Sequence, residues 1–179
     1  MKLDILTLVC VFVIGINPIF ASTLGAKSDS EASIRAFAKP ALLGMQLSIK
    51  RGRQAGKVPS AVARCVAALN TDSFFTVYDA LLMRELTASE QQVAEEFYKS
   101  SAGIKFAKHG LLQVYLAVGE KAPESLPTFS QAEMKELEGF SKTSAGDKLI
   151  VKKVMQSPGA ARVVNSRINE LLTQCEKSL

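Results

Sequence analysis

The sequence predicts an all-α protein, a single compact helical bundle that contains two similar helix-turn-helix hairpins. The main reason is an internal repeat: LTASEQQVAEEFYKSSAGIKF at residues 86–106 returns as FSQAEMKELEGFSKTSAGDKL at residues 129–149. A second reason is composition. With 7% aromatic residues and no Trp among 179, the core must be mainly aliphatic, which suits helices better than a β-sandwich.

The first element is a targeting segment rather than part of the fold. Lys2 precedes a mostly apolar stretch at residues 5–20, and the small residue Ala21 offers a cleavage point before Ser22. We therefore predict a signal peptide at residues 1–21, one helical domain at residues 22–179, and a periplasmic or secreted protein. The alternative is an uncleaved membrane anchor, but the apolar stretch is shorter than a spanning helix requires.

Local signals predict helices along most of the mature chain. A short helix begins near Ser28 and is expected to end at Pro40, because proline removes a helical hydrogen bond, and a second helix follows from Leu42. Pro59 fits the first turn of a third helix, and Thr71 begins a set of cap residues for a fourth. After the repeats, the last helix is expected at about residues 160–175.

Capping chemistry explains much of the repeat. Thr87 with Glu90, and Ser130 with Glu133, have the spacing of a capping box, in which hydroxyl and carboxylate each satisfy a backbone N–H group. The Gly of the following Ser-Ala-Gly is expected to end each helix in a left-handed conformation. The predicted hairpins cover about residues 86–118 and 129–156, and each needs the other to bury its apolar faces.

Export makes a disulfide the preferred interpretation of two cysteines. Cys65 and Cys175 remain after cleavage, and each lies on an apolar helical stripe. The alternative is a pair of separate buried thiols. Together with the single His109, the two cysteines do not form a recognisable metal-ligand set, so no metal or cofactor is expected.

At this point the chain resembles a known family. An aromatic helix, Thr/Ser-x-x-Glu and then Phe-Tyr-x-Ser-x-Ala-Gly-x-Lys, here at residues 74–105, is similar to small secreted bacterial proteins known only as a domain of unknown function. The resemblance covers about residues 71–155. It implies an all-helical, signal-bearing, periplasmic protein, and it implies no activity. The second copy departs from the motif at Ser141, where the first has Tyr98, so Tyr98 is a candidate for contact with a partner.

The residues do not predict an enzyme. His109 has no nearby carboxylate in the sequence to orient it, and no nucleophile elbow, phosphate loop or metal-ligand spacing is present. The net charge of +5 concentrates in patches, above all Lys50, Arg51, Arg53 and Lys57. These are either ordinary solvated helix faces or a surface for an acidic protein, anionic lipid or glycan. Aromatic residues do not alternate with the basic ones, which argues against nucleic acid.

We therefore expect a non-enzymatic exported protein that binds another protein in the bacterial envelope. The most specific version is an immunity-type inhibitor of a toxin that acts in the periplasm. The alternative is an envelope-associated factor that binds anionic lipid or cell-wall polymer through its basic patches.

Overall fold

In the computed structural model, which describes residues 30–178, all regular elements are helical, and this confirms the all-α class. None of these helices is both long and apolar enough to cross a membrane. The predicted signal peptide and its cleavage point lie outside the described residues. The elements are α1 Glu31–Gln54, α2 Ser60–Ala68, a 3₁₀ turn Thr71–Phe74, α3 Phe75–Glu85, α4 Ala88–Lys99, α5 Ser101–Ala117, α6 Gln131–Ser141, α7 Ser144–Gly146, a π-helical turn Asp147–Val151, a 3₁₀ turn Val154–Gln156 and α8 Pro158–Lys177.

The central element is α1, and it runs unbroken through Pro40. The prediction that Pro40 would end a first helix is therefore wrong. A proline inside a helix costs about 3 kcal/mol, but α1 packs against α2, α3, α4 and α5 and buries Ile34, Ala38, Leu42 and Met45. Burial of a large apolar side chain contributes about 1.5–3 kcal/mol, so these contacts outweigh the lost hydrogen bond.

Both predicted capping boxes are present. At the start of α4, the Glu90 carboxylate accepts the backbone N–H of Thr87 at 2.7 Å, and the Thr87 hydroxyl accepts the N–H of Glu90 at 3.3 Å. At the start of α6, Ser130 and Glu133 make the same two bonds, at 2.8 and 3.3 Å. The local pattern therefore located the beginning of each repeat helix correctly.

The repeat glycines do a different job from the one predicted. Gly103 and Gly146 do not end α4 and α6, and neither is left-handed. Each lies in the first turn of the helix that follows, where its N–H is capped by Ser100 or Thr143. A Cβ on Gly103 would lie 1.8 Å from the Phe97 carbonyl oxygen, and one on Gly146 would lie 1.9 Å from that of Phe140. Glycine is therefore required because two successive helices meet closely at this corner.

The second copy becomes irregular where the first continues as a long helix. After α7 and the π-helical turn, Lys153 takes a left-handed conformation with φ of 52°, and a 3₁₀ turn leads into α8. Leu149 and Met155 are nevertheless buried. In the second copy, this irregular segment replaces a regular second helix, and it turns the chain so that α8 packs against α2 and α3.

The predicted disulfide is present between Cys65 and Cys175. It joins α2 to α8, and Cys175 belongs to the core beside Leu171. The bond therefore fixes the last helix to the first third of the chain.

Candidate functional site

The residues that the two copies share pack against each other. The Glu90 carboxylate of the first copy accepts a hydrogen bond from the Ser144 hydroxyl of the second and lies 2.7 Å from the Lys148 amine. The same contacts occur in the reverse direction: Glu133 bonds the Ser101 hydroxyl and lies 2.7 Å from Lys105. A shared glutamate, serine and lysine are thus explained by one reciprocal interface.

The electrostatics of this interface are those of ion pairs. The Lys148 amine, followed by the Ser144 hydroxyl, lowers the pKa of Glu90 to about 2. Lys105, followed by Ser101, lowers the pKa of Glu133 to about 2. Both carboxylates are therefore ionised at neutral pH, when neither carries a proton to donate as a general acid.

A stacked aromatic pair completes the interface. The rings of Phe97 and Phe140, another shared pair, lie 3.9 Å apart between centroids with an interplanar angle of 6°. Both side chains are buried. These shared residues hold the two copies together, with the aromatic pair buried and Ser101 and Ser144 at the exposed edge of the contact.

Glu95 anchors α1 on the first copy. Its two carboxylate oxygens accept the backbone N–H groups of Ala32 and Ser33, each at 2.9 Å, and the Ser33 hydroxyl at 2.7 Å. Burial by itself would raise the pKa of Glu95, but these bonds, with the Lys99 amine, lower it overall. An ionised carboxylate thus caps the positive amino end of α1.

A cleft lies where the first half of α1 passes over α5, and we call it the α1–α5 cleft. Its volume is about 570 Å³, within the range of small-molecule sites. Small side chains leave this space open, because Ala32, Ala36 and Ala107 occupy its walls. Its lining consists of Ala32, Arg35, Ala36, Lys39, Pro40, Tyr98, Lys99, Ile104, Ala107, Lys108, Leu111, Leu112 and Glu124. Ile104 is 58% exposed here.

The rim of the cleft is cationic. Three of its cations have acidic partners: Arg35 lies 3.0 Å from Glu31, Lys99 lies 3.1 Å from Glu95, and Lys108 lies 2.6 Å from Glu124. The fourth, Lys39, is exposed and makes no ion pair with any residue of the range 30–178. The rim therefore offers one uncompensated positive charge above an apolar floor.

Two polar groups line the same cleft. Tyr98 is buried, and burial raises its pKa, so its hydroxyl stays protonated. That hydroxyl has no hydrogen-bond partner among the residues that the structure describes, and it can donate to a ligand. Pro40 has no N–H group, so the Ala36 carbonyl lacks its usual helical donor on a face that lines the cleft.

The structure separates the residues that the sequence proposed for partner binding. Tyr98 lies at the cleft, with its ring packed on Phe37 of α1. The basic group lies at and just beyond the other end of α1: from Ala36 to Arg51 is 15 residues, which at 1.5 Å per residue is about 22 Å along the helix axis. Lys50 lies 3.4 Å from Glu120, and Arg51 donates to the Val118 carbonyl.

The other two members of the basic group, Arg53 and Lys57, are exposed and make no ion pair within the described part of the chain. Arg51 and Lys50 therefore tie α1 to the end of α5, while Arg53 and Lys57 are available to a partner. No cluster of three or more His, Cys, Asp or Glu side chains able to hold a metal ion occurs among residues 30–178.

Sequence reasoning missed the cleft, although it singled out Tyr98. One wall of the cleft is formed by α1 and includes Ala36 and Lys39. The sequence predicts that this helix ends at Pro40, so it does not indicate a continuous wall there. Ala32 and Ala36 recur at i and i+4 on the same side as Tyr98, but this spacing is as common in packed cores as in ligand sites. Comparison with protein-family models, with curated proteins and with solved structures found no match.

Proposed function

We propose that this chain is a non-enzymatic binding protein, exported to the bacterial envelope, that holds a segment of another protein in the α1–α5 cleft. The observation that carries the proposal is the cleft itself, an apolar cavity of about 570 Å³ with a cationic rim. Its lining favours a segment that combines an apolar side chain with an acidic group.

The polar groups of the cleft give the proposal its chemistry. The unpaired Lys39 amine attracts a carboxylate at the rim, and a charge-assisted hydrogen bond there contributes about 1.5–3 kcal/mol. The Tyr98 hydroxyl and the Ala36 carbonyl provide one donor and one acceptor for a peptide backbone. The apolar floor then supplies affinity through burial.

Export is the second part of the proposal. It is supported by the predicted signal peptide and by the Cys65–Cys175 bond, since disulfides persist in oxidising compartments. In its most specific form, the protein is an immunity-type inhibitor that blocks a toxin acting in the periplasm. Small size and a rigid helical body suit that task, and a neighbouring gene for a secreted toxin would support this form.

Affinity capture with charge variants tests the proposal. The purified protein is used to recover partners from an envelope extract, and Lys39→Glu is compared with Lys57→Glu, a matched reversal in the segment between α1 and α2. We expect Lys39→Glu to lower the recovery of a stoichiometric protein about tenfold, which corresponds to 1.4 kcal/mol, and Lys57→Glu to leave it unchanged. Equal recovery by both variants would contradict the cleft as the binding site.

The second candidate function is binding to anionic lipid or cell-wall polymer. The specific observation in its favour is that Arg53 and Lys57 are exposed and free of ion pairs within residues 30–178. This version predicts binding to anionic vesicles that weakens with salt and with Lys57→Glu, but not with Lys39→Glu. Binding that is indifferent to salt would exclude it.

A further inference from the structure

The second copy carries an open counterpart of the face that α1 covers on the first. Glu138 lies 43 positions after Glu95, and each glutamate pairs with the lysine four residues later, Lys142 and Lys99. The side chain of Glu95 is only 6% exposed because α1 lies on it, whereas that of Glu138 is 64% exposed. Glu95 and Glu138 therefore have the same lysine partner within their helix, but only Glu95 is covered by another helix.

An open groove surrounds Glu138, and we call it the second-copy groove. It has a volume of about 810 Å³, and its apolar lining comes from Phe106, Met134, Leu137 and Ile150. Met134 is 51% exposed, although it lies on the side of α6 that includes Leu137. The groove therefore presents apolar surface beside the Glu138 carboxylate.

Comparison of Glu138 with Glu95 indicates which kind of group would bind on the second copy. Within the range 30–178, the Glu138 carboxylate accepts a hydrogen bond only from Lys142, and that bond uses one of its two oxygens. On the first copy, the Lys99 pair coexists with three donors from the beginning of α1. The second oxygen of Glu138 thus remains available for the same type of donor, a helix amino end with its free N–H groups.

We infer that the second-copy groove binds the amino-terminal half of a helix from a partner protein. The first turn of that helix carries small residues and a hydroxyl, as Ala32 and Ser33 do in α1, so that its N–H groups reach Glu138. The difference between the copies adds one requirement. Ser141 stands where the first copy has the Tyr98 ring, so the partner helix needs a bulky apolar side chain, as Phe37 is in α1, to fill that space.

This surface is separate from the α1–α5 cleft, because it is built on α6 and the segment 147–151 with Phe106. It is also not completed by the α1 of its own chain, whose beginning is already bound to Glu95. Binding at the second-copy groove therefore does not depend on Lys39.

A peptide that copies α1 is the probe. A fluorescent, blocked peptide of residues 30–43 is titrated into the purified protein, and binding is followed by anisotropy. We expect saturable binding that Glu138→Gln weakens about tenfold, since a charge-assisted bond is lost. The matched control is Glu136→Gln, an exposed glutamate of the same helix without an ion pair in the described residues, which should bind as the native protein does.

Two results would overturn the inference. One is the absence of saturable binding by the peptide. The other is binding that responds equally to Glu138→Gln and Glu136→Gln, or only to Glu95→Gln, which would place the peptide on the first copy in exchange for α1. A second variant, Met134→Lys, puts a charge on the apolar side of the groove and should also weaken binding.

Discussion

Removal of the Cys65–Cys175 bond is expected to destabilise the protein by about 4.8 kcal/mol. The bond closes a loop of 110 residues, and the chain-entropy relation then gives an entropy of about 16 cal/mol/K for the restriction of the unfolded chain. For a chain of this size, such a loss lowers Tm by roughly 10–20 °C. The magnitude is large because the bond joins α2 to α8, which are distant in sequence.

Urea unfolding of the oxidised and the reduced native protein measures this difference without substituting any residue. The Cys65→Ala/Cys175→Ala variant provides a second measurement, and alanine is preferred to serine because Cys175 is 1% exposed and a buried hydroxyl would add its own cost. Because the cross-link acts on the unfolded chain, the oxidised form should also show the smaller m-value. Oxidised and reduced proteins whose unfolding free energies agree within about 1 kcal/mol would refute the reasoning, since this is far below the 4.8 kcal/mol expected.

Three further predictions concern the repeat. The pKa of Glu90 in the folded protein, about 2, lies below its ordinary value of 4.5. The contribution of Glu90 to stability is therefore complete above pH 4.5 and is lost as the pH falls toward 2. When the free energy of unfolding is measured against pH in acid, it should fall less for Glu90→Gln than for the native protein. Gly103→Ala should lower the free energy of unfolding by about 2–3 kcal/mol, because the new Cβ would clash with the Phe97 carbonyl. Gly110→Ala, with no atom near its Cβ, should raise it by about 0.5–1 kcal/mol. Equal effects of the two variants in calorimetry would count against the close approach of Gly103 to that carbonyl. Glu95→Ala should cost about 3 kcal/mol and Glu138→Ala less than about 0.5 kcal/mol, because only Glu95 holds the beginning of α1.

Local rules were sufficient for much of the fold. Capping boxes depend on residues three positions apart, so Thr87 with Glu90 and Ser130 with Glu133 could be read directly from the sequence. The disulfide followed from apolar stripes that placed Cys65 and Cys175 on core-facing sides, together with the predicted export. Each of these features needs only one helix and its immediate neighbours.

The predictions were wrong where contacts between residues distant in sequence determine the local structure. Pro40 stays helical because four other helices pack on α1, and no local signal reports that packing. The sequence predicts that Gly103 ends a helix, since glycine is common there. Its real role depends on the close approach to the Phe97 carbonyl, which is set by the angle between α4 and α5 and has no local signal. The expectation that Tyr98 contacts a partner stays a prediction. What the sequence could not show is the cleft beside it, because the opposite wall comes from Ala36 and Lys39, about 60 residues earlier.

Site-specific photocrosslinking tests the central claim most directly. A photoreactive amino acid replaces Leu111 in the α1–α5 cleft, and the control replaces Met83, which is 63% exposed on α3. The cross-linked product from envelope extract is then identified by mass spectrometry. We predict that position 111 captures a peptide with an acidic and an apolar residue and that position 83 does not. Capture of lipid alone at position 111, or equal capture of protein at both positions, would contradict the proposal.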